Sequence, residues 1–304
     1  MFVSEALAVG AATCIALSGM LISELKGRVD VVRLARWQML AAFAMTGAAT
    51  LAVGGWQTLT PHTALLLSVS GLFGIVIAST TYFAAIYTAG PRNTALLFAL
   101  ASPFSLLLGY AFLGETISLR QGLGVALVLA GIVLAIGIWR RPPVAAELPA
   151  VGTPPGPEAR GAPLLGIVLG VVTAFGQALG SLFARPAMAA GVEPFAAMAV
   201  RSGVAAVFFL LLALAPIAAL RQPYRFRRGD LTLALGSAFF GTGLGMSLLM
   251  AALATGNVGI VTTLSSMTPI VILPMVWLRS GVAPPRQAWL GAALAVAGTA
   301  AISL

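Results

Sequence analysis

Residues Ala89 to Gly137 read AGPRNTALLFALASPFSLLLGYAFLGETISLRQGLGVALVLAGIVLAIG, and Ala254 to Ile302 read ATGNVGIVTTLSSMTPIVILPMVWLRSGVAPPRQAWLGAALAVAGTAAI. The two stretches carry the same marks in the same order. A Gly-bearing turn comes first, then an apolar segment with a polar-Pro pair at its middle: Ser102-Pro103 in one, Thr268-Pro269 in the other. An Arg-Gln pair follows (Arg120-Gln121, Arg286-Gln287), and then a second apolar segment holding Ala-Gly (Ala130-Gly131, Ala297-Gly298). The prolines lie 166 positions apart and the Ala-Gly pairs 167, about half of the 304-residue chain. One architectural unit is built twice.

Working outward, 60% of the residues are hydrophobic, only 8% are charged, and the mean hydropathy is +1.02. A soluble domain carries roughly a quarter charged residues, so the chain is an integral membrane protein. A helix crossing about 30 Å of hydrocarbon needs roughly 20 residues. Ten segments qualify: 3–24, 31–53, 63–88, 92–113, 119–139, 164–185, 195–219, 230–253, 257–278 and 286–304. Their apolar runs are continuous rather than alternating, which excludes a strand barrel. Between residues 140 and 163 lies RRPPVAAELPAVGTPPGPEARGAP, whose seven prolines forbid a helix and mark a linker. The expected fold is therefore all-α, with a first five-helix repeat over 1–139, the linker over 140–163, and a second repeat over 164–304. Five is odd, so the second unit enters the bilayer upside down relative to the first.

Loop charge sets the orientation. Loops after the odd-numbered segments hold thirteen Lys or Arg, from Lys26 to Arg286, whereas the even ones hold only Arg120 and Arg185. This places the odd loops and the linker in the cytoplasm and both termini outside, in a multi-pass inner or plasma membrane protein. The net charge of +9 is thus a membrane-surface feature and not a nucleic-acid footprint. Trp37, Trp56, Trp139, Trp277 and Trp289 all fall near segment ends, as an interfacial aromatic belt does. Cys14 is the only cysteine and His62 the only histidine. That composition leaves no metal centre, no catalytic constellation and no expected cofactor, and no phosphate-binding Gly-rich loop followed by Lys occurs. Enzyme chemistry is not expected.

Candidate site residues are the polar ones inside apolar segments, because such groups face a cavity or a partner. Arg36 and Arg201 occupy corresponding places in the second helix of each repeat and are read as gating residues. Gln177 and Ser181, one turn apart, share a helix face. Ser102, Ser265 and Thr268 flank Pro103 and Pro269, each of which removes a backbone hydrogen bond and frees a carbonyl one turn back, at Ala99 and Ser265. These prolines are also read as helix bends. Gln38 and Tyr82 complete the expected substrate-binding set. Glu5 and Glu24 bracket the first segment, and no carboxylate sits mid-span, so proton coupling is not expected.

The ordered motifs resemble the drug/metabolite transporter superfamily, in its EamA-type branch. The carrying residues are Arg36 in ARWQMLAAF and Arg201 in VRSGVAAVFF, the Gly-rich third helices (Gly71 to Gly90, Gly241 to Ala254), Pro103 and Pro269, and the paired Ala-Gly. Gly114-Glu115 matches in the first half only, since the second has Arg279-Ser280-Gly281. The resemblance implies a ten-helix secondary transporter with a central cavity, moving small metabolites such as amino acids or drug-like compounds by alternating access. It also implies cytoplasmic termini, against the loop charge, which we follow. The alternatives are a non-transporting scaffold or receptor, which predicts a soluble interaction domain, and an intramembrane lipid-handling protein, which predicts a buried carboxylate or His cluster. The sequence supplies neither. The expected partners are a small-molecule substrate and the lipid bilayer.

Overall fold

A computed structural model describes residues 2–113, 116–136, 162–214, 227–255, 264–265 and 267–303. Among them there are helices and no strands. The elements are α1 (Phe2–Ser23), α2 (Val31–Val53), α3 (Pro61–Gly71), α4 (Ala78–Phe98), α5 (Ala101–Leu113) and α6 (Leu119–Ile136). The second half follows with α7 (Ala162–Ala189), α8 (Pro194–Leu214), α9 (Arg228–Ala238), α10 (Met246–Thr255), α11 (Thr268–Ser280) and α12 (Arg286–Ser303). The linker read from the sequence lies outside the described residues, except that Ala162 and Pro163 already belong to α7.

Two pairs of these helices are single spans interrupted by a wide turn. Leu72–Ile77 joins α3 to α4, and Phe239–Gly245 joins α9 to α10, each as a π-helical turn. Leu72 and Phe239 lie 167 positions apart, the same interval as the Ala-Gly pairs. The duplication therefore reaches into the backbone hydrogen bonding of both third spans. Within α4 the chain breaks helical geometry at Gly90 (φ 81°, ψ 162°), a backbone that glycine adopts without Cβ strain, and Pro91 opens the next segment. Along α7, Gly166 packs on Thr88 and Ala89, and Gly170, one turn further, packs on Leu97. The chain thus reverses at Gly90, and the fourth span begins there.

Helix pairing repeats the duplication. The first span, α1, packs on the eighth (α9, α10 and their π turn), while the sixth, α7, packs on the third (α3, α4 and theirs). The two second spans, α2 and α8, face one another, as do the two fifth spans, α6 and α12. At the last crossing, a methyl group on Gly131 would lie 2.5 Å from the Gly291 carbonyl oxygen, and one on Gly298 would lie 2.5 Å from the Gly124 carbonyl oxygen. Only glycine permits this approach, and in lipid such close packing is what holds helices together.

The distribution of polarity is that of a protein surrounded by lipid. Leu51, Phe112, Leu119 and Leu278 point outward, while Gln38, Thr46, Ser70, Thr94, Ser202 and Ser237 are buried. Their hydroxyls and amides hydrogen-bond inside. Ser70 Oγ donates to the Gly180 carbonyl (2.6 Å), tying α3 to α7, and Ser18 Oγ donates to the Ser237 carbonyl (2.8 Å), tying α1 to α9. Ser70 and Ser237 are again 167 positions apart. Each such bond is worth about 0.6 kcal/mol in a membrane, so the apposed glycines and the packed apolar residues supply most of the cohesion.

The proline expectation is corrected. Pro103 stands in the first turn of α5, after a break at Ala99–Leu100, and Pro269 stands in the first turn of α11. A proline in a first turn loses no intrahelical bond. The carbonyls expected to be free are occupied: Ala99 O accepts from Ser102 N (3.3 Å), and Ser265 O accepts from Thr268 Oγ1 (3.2 Å). Neither proline bends a helix at mid-span, and the proline inside α11 is Pro274.

Candidate functional site

A cavity of about 80 Å³ opens between the two repeats. Ile15 and Ser18 of α1, Gln38 of α2, Gly74 to Phe83 of the third span and Phe98 line one side; Thr173, Gln177, Gly241, Thr242 and Met246 come from the second repeat. Counted along their helices, most of these residues sit near the middle of their spans. Both π turns contribute to the wall, through Gly74 and Ile75 in one and Gly241 and Thr242 in the other. A π turn leaves a helix locally widened, with a backbone less evenly hydrogen-bonded, and such turns recur at functional sites.

The wall has two characters. Tyr82 meets Phe83 and Phe98 edge-on, with ring centroids 6.2 and 6.0 Å apart, and these three rings form an aromatic surface. The polar groups of the lining are in two states. Gln38 is committed to the fold: its Nε2 donates to Ser237 Oγ (2.6 Å), which in turn donates to the Ala234 carbonyl (2.8 Å). Thr173 shares a hydrogen bond with Thr81 (2.8 Å). By contrast, the Gln177 carboxamide and the Ser79 hydroxyl have no hydrogen-bond partner among the described residues. Both have bonding capacity left for a solute.

Of the expected binding residues, the structure brings Gln38, Tyr82 and Gln177 to this cavity. Ser102, Ser181, Ser265 and Thr268 are not among its lining residues. Ser181 is one turn beyond Gln177, past the close contact in which a methyl on Gly180 would lie 2.5 Å from Gly74 Cα. Phe104, near Ser102, packs edge-on to Phe175 (5.4 Å). Sequence reasoning missed Ser18, Ser79 and Thr242. The three alternate glycines at Gly241, Gly243 and Gly245 were the available signal for the wall around Thr242.

The two arginines, equivalent by sequence, differ in surroundings. Arg36 is partly exposed near the start of α2. Arg201 is 1% exposed, the largest fully buried side chain among the described residues. Among the described residues its Nη1 reaches only Met198 Sδ (3.5 Å), and its Nε and Nη2 have no partner. The room for it comes from small residues: a methyl on Gly71 would lie 2.8 Å from the Arg201 carbonyl oxygen, and one on Gly74 would lie 2.7 Å from Nη2.

Charge pairs gather where α1 ends. Glu24 accepts from Arg279 Nε (2.7 Å) and Nη2 (3.0 Å), joining the ends of α1 and α11. Arg28 Nη1 lies 3.0 Å from Asp230 Oδ1 at the start of α9, and Asp30 caps α2 through the Arg33 N–H (2.8 Å). At the opposite face, Glu193 caps α8 through the Phe195 and Ala196 amides (3.0 and 2.7 Å), and its own amide donates to Thr58 Oγ1 (3.0 Å). Among the described residues no group of three His, Cys, Asp or Glu is arranged to hold a metal ion.

Apolar helices forming ten spans, built as two five-span units around a shared cavity, define an inverted-repeat integral membrane protein. The model of the EamA-like transporter family matches residues 3–137 and 164–304, each one unit of the duplication. The chain belongs to that family, whose members are small-molecule transporters. A solved structure described only as a crystal structure of a protein superposes with a TM-score of 0.59 at 22% identity, covering 96% of this chain and 94% of that one. At that identity the likeness concerns the fold. No curated protein matches the sequence.

Proposed function

We propose that the protein is a cofactor-independent secondary transporter that carries a small amphipathic organic solute through the central cavity by alternating access. The observation that carries this reading is the cavity wall itself: an aromatic surface and hydrogen-bonding groups that the fold leaves unused line one cavity, near mid-span, between two inverted units. The aromatic wall suits an apolar body of the solute, and Gln177 and Ser79 suit a polar end. The two repeats would rock about the π turns of the third and eighth spans, whose wide backbone accommodates a change of angle at low cost. The gating role read for Arg36 and Arg201 belongs to the same proposal. The family membership and the apolar helices support a location in the cell membrane, and the basic loops favour a cytoplasmic position for the face bearing Glu24 and Arg279.

Facilitated exchange, rather than proton-driven export, fits the lack of a carboxylate among the cavity-lining residues. The test is counterflow in proteoliposomes preloaded with a panel of amino acids, monocarboxylates and drug-like amines, with and without a pH gradient. Saturable counterflow that needs no gradient is expected, and it should fall when Tyr82 is replaced by Ala. Counterflow that appears only with a gradient overturns the exchange mechanism, and a protein that moves no solute of any class overturns transport.

A further inference from the structure

A buried cation without a counter-ion is costly, since burial strips its hydration and a protein interior returns it only through a partner. Arg201 is such a cation. It is 1% exposed, two of its three guanidinium nitrogens are unpartnered, and no carboxylate pairs with it among the described residues. It is no snorkelling side chain either, because it starts about 10 Å along α8 from that helix's first residue and ends inside, against Gly74. Gly74 is at the same time a wall residue of the cavity. The guanidinium therefore stands directly behind a wall position that has no side chain to screen it. Ile75, Ala78 and Gln177 line the cavity alongside Gly74, and none of them carries a charge.

We infer that the cavity takes a solute bearing a single carboxylate, and that Arg201 is the residue that balances its charge. This rests on the transport reading above and adds the class of solute. The charge arithmetic limits that class: one guanidinium neutralises one negative charge, so a phosphate dianion would be left half-compensated in a region of low dielectric. The planar, forked donor set of arginine matches a carboxylate's two oxygens. The unpartnered Gln177 carboxamide, on the adjoining wall, offers a second donor to the same group, and the Tyr82–Phe83–Phe98 surface receives the apolar remainder. The π turn holding Gly74 is the element that would yield to bring the guanidinium and the carboxylate into contact.

The experiment uses the purified full-length protein in detergent and compares matched pairs of probes: benzoate against benzamide, and propionate against propionamide, with chloride as the inorganic arm. Binding is read as saturable protection against thermal unfolding. At least one carboxylate is expected to bind tenfold or more tightly than its amide, which differs only in charge. Arg201→Met should erase that preference, Arg201→Lys should keep part of it, and Arg120→Gln, which removes an exposed cation in the first turn of α6, should leave it intact. The inference is overturned if no carboxylate is preferred over its amide in the unsubstituted protein, if chloride protects as well as the carboxylates, or if Arg201→Lys and the original bind benzoate equally. Arg201→Lys retains the charge and most of the apolar stem, so the comparison survives a Met variant that fails to fold. Counterflow of the same probes separates the two readings. Carboxylate-selective protection without counterflow keeps the Arg201 site and sinks transport, whereas counterflow indifferent to the carboxylate keeps transport and sinks the site.

Discussion

Two glutamines face the same cavity and have opposite consequences. Gln38 hydrogen-bonds to Ser237 across the interface between α2 and α9, and its loss would leave Ser237 with one contact fewer in a buried place. Gln177 bonds to nothing among the described residues. Gln38→Leu should therefore lower stability by about 1 kcal/mol, the net value of a buried hydrogen bond. Gln177→Leu should leave stability within about 0.5 kcal/mol while weakening solute binding several-fold. Thermal unfolding in detergent, paired with the concentration dependence of counterflow, separates the two. If Gln177→Leu melts early and binds normally, its side chain belongs to the fold and not to the solute. Which glutamine played which part was not legible in the sequence. Both are amides in apolar runs, and only the packing of α9 on α2 shows that one of them is already used.

At the scale of elements, the crossing of α6 and α12 rests on bare backbone. Gly131 and Gly291 touch through their carbonyls, and a side chain at either must push the helices apart. Gly131→Val should cost several kcal/mol, in the range of overpacked or cavity-disrupted cores, and yield aggregated protein by size-exclusion chromatography. Gly122, on the same helix, has open space around its missing side chain. There Gly122→Ala should be neutral or stabilising by up to about 1 kcal/mol. Equal behaviour of the two variants would mean that the crossing does not hold the fold. The glycines, the helix count and the duplication could all be read in advance, because span length, apolar continuity and spacing are written in one dimension. The π turns could not, since an added residue in a helix turn changes no composition. The prolines misled for a related reason: Pro103 and Pro269 look central in an apolar run, but Ala99–Leu100 breaks the first run and α11 begins at Thr268 in the second. The direction in which Ser102 and Thr268 face depends on helix rotation about these breaks, which spacing alone does not give.

At the scale of the whole molecule, the side of the membrane and the motion can both be read from cysteine chemistry. In a Cys14→Ala background, Gln57→Cys reports the loop between α2 and α3, and Lys26→Cys the loop between α1 and α2. If the basic face is cytoplasmic, a membrane-impermeant maleimide should label the first in right-side-out vesicles and the second only after permeabilisation. The reverse pattern would place both termini in the cytoplasm, as the family resemblance implies. The motion follows from the pairs on the basic face. Glu24 and Arg279 join α1 to α11 while remaining about a third and a half exposed, so the pair is worth roughly 0.2–1 kcal/mol. Such a pair biases an opening equilibrium by no more than its own energy, a factor of about 1.4 to 5 at 25 °C. Glu24→Ala should then speed maleimide labelling of a cavity cysteine at Ser79 by that factor, and high salt should bring the unsubstituted protein toward the same rate. Exchanging the partners, as Glu24→Arg with Arg279→Glu, should restore slow labelling, because attraction between the helix ends is retained with its sign reversed. If labelling is indifferent to all three changes, the helix ends are held by packing, and the ion pair is a passive feature of the surface.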